Sequence, residues 1–198
     1  MFFEPFKVTK MKVTKTVCLL TLICISVTTR AQVIPGFKGG LNVSSLTHTA
    51  DDNRVSGQIG FFLHTHLAKG WAFQPEILYS GQGDRYWDGN TRFTTALNYI
   101  NIPFMFQYYP IHRFYLEFGP QLGILVAARD KGPNGYNADI SRGIHKTDAT
   151  LNLGIGVRAT DMLGFYMRYG IGLSDVTRDD NFSYSNRVFQ LGVEVRLH

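Results

Sequence analysis

Residues 187–198 read RVFQLGVEVRLH. Successive side chains of an extended strand point to opposite faces. Phe189, Leu191, Val193, Val195 and Leu197 therefore share one face, and Gln190, Gly192, Glu194 and Arg196 share the other. One face is uninterrupted hydrocarbon, while the other carries a glycine and charges of both signs. A half-buried strand of a water-soluble sheet has the same pattern when it stands alone. Its recurrence along the chain decides the fold.

Seven earlier segments repeat the alternation. Residues 36–46 set Phe37, Leu41 and Val43 against Lys38, Asn42 and Ser44. Residues 57–67 set Ile59, Phe61, Leu63 and Leu67 against Gln58, His64 and His66. In 71–83, Trp71, Phe73, Ile77 and Tyr79 oppose Gln74, Glu76, Ser80 and Gln82. Pro75 has no ladder donor, so it predicts a bulge there. In 97–109, Ile100, Ile102, Phe104, Phe106 and Tyr108 oppose Tyr99, Asn101 and Gln107. In 113–127, Phe114, Leu116, Phe118, Leu122, Ile124 and Val126 oppose Tyr115, Glu117, Gln121 and Gly123. Residues 148–159 set Ala149, Leu151, Leu153, Ile155 and Val157 against Asn152, Gly154, Gly156 and Arg158. Residues 163–176 set Phe165, Met167, Tyr169, Ile171 and Leu173 against Tyr166, Arg168, Gly170 and Ser174.

The connections alternate in length. Short ones follow the second, fourth and sixth segments, at Lys69-Gly70, Pro110–His112 and Asp161-Met162. Polar, longer ones follow the first, third, fifth and seventh; the last three are residues 84–95, 129–146 and 177–186. This is the pattern of an all-β, eight-stranded antiparallel up-and-down transmembrane β-barrel with both termini on the periplasmic side. The apolar faces would meet lipid, and Trp71, Tyr79, Tyr108 and Tyr109 would form interface girdles. A soluble lipocalin-like ligand-binding barrel would reverse the faces. Its exterior would then be a glycine-rich surface with only one or two charges per strand, which is thin for a solvated face.

The composition agrees. The 198 residues are 14% aromatic and 18% charged, with 20 glycines. Mean hydropathy is −0.06 because strands with one polar face average to neutral. Residues 1–31 read as a signal peptide. Lys10, Lys12 and Lys15 precede the apolar run VCLLTLICISV (17–27), and Thr29-Arg30-Ala31 predicts cleavage after Ala31. Met1 and Met11 are both candidate starts. Residues 32–198 would be the barrel domain. The leader holds both cysteines, Cys18 and Cys24, and most of the excess positive charge. The remainder, with 15 basic and 14 acidic residues, gives a nucleic-acid partner no electrostatic support.

The inner face of the predicted barrel would carry Lys38, Arg158, Arg168 and Arg196 with Glu76, Glu117 and Glu194. An eight-stranded lumen is just wide enough for side chains. Charges of both signs confined there should pair, because an unpaired buried charge is very costly. The expectation is a lumen plugged by salt bridges; a charge-lined pore or small transporter is the alternative. His64 and His66 make a two-residue pair, too few ligands for a metal site, and no cofactor motif is present. His112, His145, Ser141, Asp139 and Asp148 lie in or beside loops but form no nucleophile motif, so no catalytic residues are assigned and no enzyme is expected. Tyr86, Trp87, Tyr136, Phe182 and Tyr184 in the long loops are the expected contact residues, since loops on a rigid scaffold usually carry binding.

The pieces GFKGGLNVSSL, FQPEILYSGQG, LNYINIPFMFQYY, FYLEFGPQLGIL, RYGIGLSDV and NRVFQLGVEVRL, in this order, resemble the PorT-like family of outer-membrane β-barrel proteins of the Bacteroidota. The QPE-x-LYS-x-x-G and Y-I-x-IP pieces are its more specific parts. The resemblance implies a small barrel in the cell outer membrane, inserted by the barrel-insertion machinery. Its founding member belongs to a secretion and gliding apparatus, while most relatives have no assigned activity. Such barrels usually end in an aromatic residue; this chain ends Arg196-Leu197-His198. The expected role is structural or envelope-interacting, with outer-membrane lipid, lipopolysaccharide and an envelope protein complex as partners.

Overall fold

A computed structural model describes residues 32–46, 52–176 and 185–197. The predicted signal peptide, Phe182 and Tyr184 lie outside the described residues. Nine strands and one short 3-10 turn follow in order: β1 (Val33–Leu46), β2 (Asp52–Ala68), β3 (Trp71–Asp88), β4 (Thr91–Ile111), β5 (Phe114–Lys131), the turn at Pro133–Gly135, β6 (Asn137–Asp139), β7 (Thr147–Arg158), β8 (Leu163–Gly172) and β9 (Asn186–Arg196).

Every pairing is antiparallel. β1 bonds to β2 on one side and to β9 on the other, while β4 closes onto β5, so β1–β5 and β7–β9 form a ring of eight. Closure leaves no edge in the ring. The short β6 is a flap on β5, with Arg129 opposite Asp139. Register follows the alternation. Phe37 pairs with Phe61 and Val195, placing apolar residues side by side on the outer face, while Lys38 pairs with Glu194 on the inner one.

The barrel is inside out by the standards of a soluble protein. Leu41, Ile59, Phe61, Leu63, Ile77, Leu153, Leu191 and their neighbours point outward and stay uncovered by protein. Lys38, Glu76, Glu117, Arg168, Glu194 and Arg196 are at most 2% exposed. Inner glycines make room for large rings. A Cβ at Gly156 would collide with the Tyr115 ring, and one at Gly192 would crowd Tyr166.

Four local expectations need correction. Residues 84–95 are not a loop: β3 and β4 run on as a hairpin to a Gly89-Asn90 turn, with Tyr86 opposite Phe93 and Trp87 opposite Arg92. Aromatic and β-branched residues sustain a strand where both faces are polar, and Gly89 takes the left-handed φ of +59° that the turn requires. Pro75 causes no bulge, since Phe62–Glu76 and Thr65–Phe73 keep one register across it. Residues 173–176 do not extend β8. They bend so that Val176 packs against Leu97, Tyr99 and Ala128, with Leu125, Ile140 and Ile144 around them. Part of the segment 129–146 thus packs as an apolar cap beside the ring. Tyr109 is not a girdle residue either. It turns inward to donate its hydroxyl to Gln107 Oε1 at 2.9 Å, whereas the Trp71 and Tyr108 rings meet at a tilt on the outside, 4.9 Å between centroids.

Candidate functional site

The lumen centres on Glu76 of β3. Its Oε1 accepts from Lys38 Nζ at 3.1 Å and from Arg168 Nη2 at 2.9 Å, and its Oε2 accepts from Arg168 Nη1 at 3.0 Å. The same guanidinium donates through Nε to Glu117 Oε1 at 2.8 Å. Arg168 thus grips one carboxylate with its fork and a second with its remaining edge, the arrangement a planar, multi-donor cation permits. Strands β8 and β3 lie on opposite sides of the eight-membered ring, so this one side chain spans the bore.

Amides complete the network. Gln74 Nε2 donates to Glu76 Oε1 at 3.1 Å and to Glu194 Oε2 at 3.3 Å, and Gln107 Nε2 donates to Glu117 Oε2 at 3.2 Å. Lys38 Nζ also stands 3.9 Å from Glu194 Oε2 and 3.8 Å above the Tyr166 ring. Arg196 Nη2 is 3.7 Å from Glu194 Oε1 and donates to the Tyr109 hydroxyl at 3.0 Å. Three cations, Lys38, Arg168 and Arg196, thereby meet three carboxylates, Glu76, Glu117 and Glu194. Paired and hydrogen-bonded, the charges escape the cost of lone burial.

Arg158 was expected in this network, but the structure places it at the barrel's end. Its Nη2 donates to the Asp161 carbonyl at 3.4 Å and lies 3.9 Å from that residue's carboxylate. Parity gave its face correctly; its depth, next to the β7–β8 turn, takes it out of reach of the glutamates. His64 is buried, with Nδ1 3.0 Å from Gln74 Oε1, while His66 is exposed beside it at 4.9 Å between rings. Among the described residues no three His, Cys, Asp or Glu side chains converge as a metal site would need.

The residues weighed for chemistry are dispersed. His112 lies in the β4–β5 turn, at the opposite end of the barrel from Asp139, Ser141 and His145. Ser141 donates its backbone N–H to Asp139 Oδ1 at 2.8 Å, and hydrogen bonding from the Ser141 side chain, then from that N–H, holds the carboxyl below its usual pKa. Ser174 donates to Asp148 Oδ1 at 2.7 Å.

At the end away from the short turns, β3, β4 and β5 rise beyond the other strands as a wall. On it Tyr86 stacks with Phe93 at 5.4 Å and 16°, and Tyr136 meets Phe93 edge to face at 5.8 Å and 88°. Tyr86 donates its hydroxyl to Asp130 Oδ2 at 2.7 Å. Trp87, on the other side of the hairpin, lies 5.9 Å from the Arg92 guanidinium. Phe93 and Asp130 escaped sequence reasoning. Nothing in their spacing ties them to Tyr86, although the Tyr–Phe hairpin pair would have followed from the turn at Gly89-Asn90.

An antiparallel ring with hydrocarbon outside and an ion-paired interior is a membrane-spanning β-barrel. Residues 30–178 match the model of the family described as outer membrane protein beta-barrel domain, and the chain belongs to that family. It is an outer-membrane protein, with its apolar face against membrane lipid. No curated protein matches it by sequence. Among solved structures it is similar to Ail, the attachment invasion locus protein of Yersinia pestis, in complex with the heparin analogue sucrose octasulfate. That match has 11% identity and a TM-score of 0.46, covering 84% of this chain and 99% of that one. Neisserial surface protein A is similar at 13% identity and a TM-score of 0.47, covering 84% and 97%. A de novo designed transmembrane β-barrel is similar at 10% and 0.39, covering 82% and 95%.

Proposed function

We propose that the protein is a non-conducting, non-catalytic barrel of the PorT-like branch, with a structural or envelope-interaction role. The observation that carries the reading is the Arg168–Glu76 bridge across the lumen, braced by Lys38, Glu117 and Gln74. A six-charge lattice lies across the path that ions would have to take through the bore. Function then moves to the rim and loops, where Tyr86, Trp87 and Tyr136 offer contact surface for lipopolysaccharide or an envelope protein. Phe182 and Tyr184 belong to the same proposed surface by sequence.

Single-channel recording of the folded mature protein in a planar bilayer tests this. Silence from protein shown to be folded is the expected result. Discrete, reproducible steps would make it a small pore and turn the lumen charges into selectivity residues.

A further inference from the structure

The wall above the barrel carries a preformed recess of about 370 Å³, lined by Tyr86, Asp88, Phe93, Asp130, Pro133 and Tyr136. Four segments build it: β3 supplies Tyr86 and Asp88, β4 Phe93, β5 Asp130, and the 3-10 turn with the residue after it Pro133 and Tyr136. Tyr86 and Phe93 lie nearly parallel, and Tyr136 stands at a right angle to Phe93, so aromatic surfaces bound the recess on two sides.

The charged groups that line it are two carboxylates, Asp88 and Asp130. Asp130 Oδ2 takes the Tyr86 hydroxyl, while Oδ1 is buried and has no hydrogen-bond partner among the described residues. Leaving a carboxylate oxygen buried and unpaired is costly, so a cation or N–H donor is what it lacks. Among the described residues no Lys or Arg stands within ion-pair distance of Asp88 or Asp130. Burial, then the neighbouring Asp130, pushes the Tyr86 phenol up from its ordinary pKa, so it stays a neutral donor that fixes the carboxylate. Aromatic faces carry the negative lobe of the ring quadrupole and attract organic cations, and a carboxylate beside them adds a full charge.

We infer that this recess binds a small alkylammonium group, with Tyr86, Phe93 and Tyr136 as the cage and Asp88 and Asp130 as its counter-charge. The inference names a ligand class for the rim surface proposed above. Lumen conductance does not bear on it, so the two readings fail separately. Inorganic cations are poorer candidates, because the aromatic walls reward a large, weakly hydrated ion.

The test is calorimetric titration of the detergent-folded full chain with choline chloride, with sodium chloride at equal ionic strength as the blank. Saturable choline binding is expected, weakened roughly tenfold by Tyr136→Ala and at least as much by Asp130→Asn. Asp161→Asn, at the far end of the barrel, should bind as the native chain does. Tyr136 is exposed, so its truncation should leave folding intact, which heat-modifiable mobility checks for each variant. Phosphocholine then separates two sources of the same chemistry. Affinity equal to that of choline assigns a lipid headgroup, and much weaker affinity, from repulsion of its phosphate by the two aspartates, assigns a free amine. No saturable binding by folded native protein, or undiminished binding by Tyr136→Ala, would overturn the inference.

Discussion

Arg168 and Glu76, 92 residues apart in the chain and on opposite walls of the barrel, share a two-bond bridge at 2.9 and 3.0 Å with both side chains fully buried. Replacing one partner leaves the other buried without its main counter-charge. Among the described residues, Arg168→Met leaves Glu76 with Lys38 as its ion-pair partner and Glu117 with none, and should lower the unfolding free energy by about 3–5 kcal/mol. The double variant Arg168→Met with Glu76→Gln removes a charge of each sign and should recover part of that loss. Urea titration of the lipid-folded variants reads both, and equal losses in the single and double variants would refute the coupling.

Leu153 is the seventh residue of the twelve in β7, 51% exposed, with Phe118 and Tyr169 on either side. Arginine placed there would enter hydrocarbon near mid-membrane, at a cost of about 2–4 kcal/mol. Val157 faces the same way near the β7–β8 turn, and Val157→Arg should cost only about 0–1 kcal/mol, since a cation there reaches the interface. Folding yield into vesicles, followed by heat-modifiable mobility, should rank the two variants. Equal tolerance would place this face in water.

Gly156 provides the space for the Tyr115 ring, which is fully buried across the β5–β7 pair. Gly156→Ala should therefore destabilise by about 1–3 kcal/mol through overpacking. Tyr115→Leu in the same chain should relieve most of that strain, so the two substitutions should be non-additive in a double-mutant cycle. Additive losses would show that the ring does not lean on that glycine.

Sequence reading reached the barrel because its constraint is local. With a side-chain period of two, an apolar residue on the wrong parity would face the lumen, so each strand announces its two faces independently of the others. That is why Phe189, Leu191 and Val193 could be set outside and Glu194 and Arg196 inside without a neighbour in view. The errors fell where that signal fades. At Tyr86–Phe93 the hairpin stands beyond the main ring and has no greasy face to betray it. At Val176 the chain leaves its strand for a cap made of distant segments.

The sequence by itself determined the number of strands in the ring, the face of most of their side chains and the mixed charge of the interior. It could not determine depth. How far along the bore a residue sits depends on the stagger and tilt of all eight strands together, a property of closure that no single strand contains. Only the closed ring separates Arg158 at the rim from Arg168 at the centre, although both read as inner arginines. Only it brings Tyr86, Phe93, Asp130 and Tyr136 around one recess, because three strands and a turn must rise to the same height before their side chains can meet.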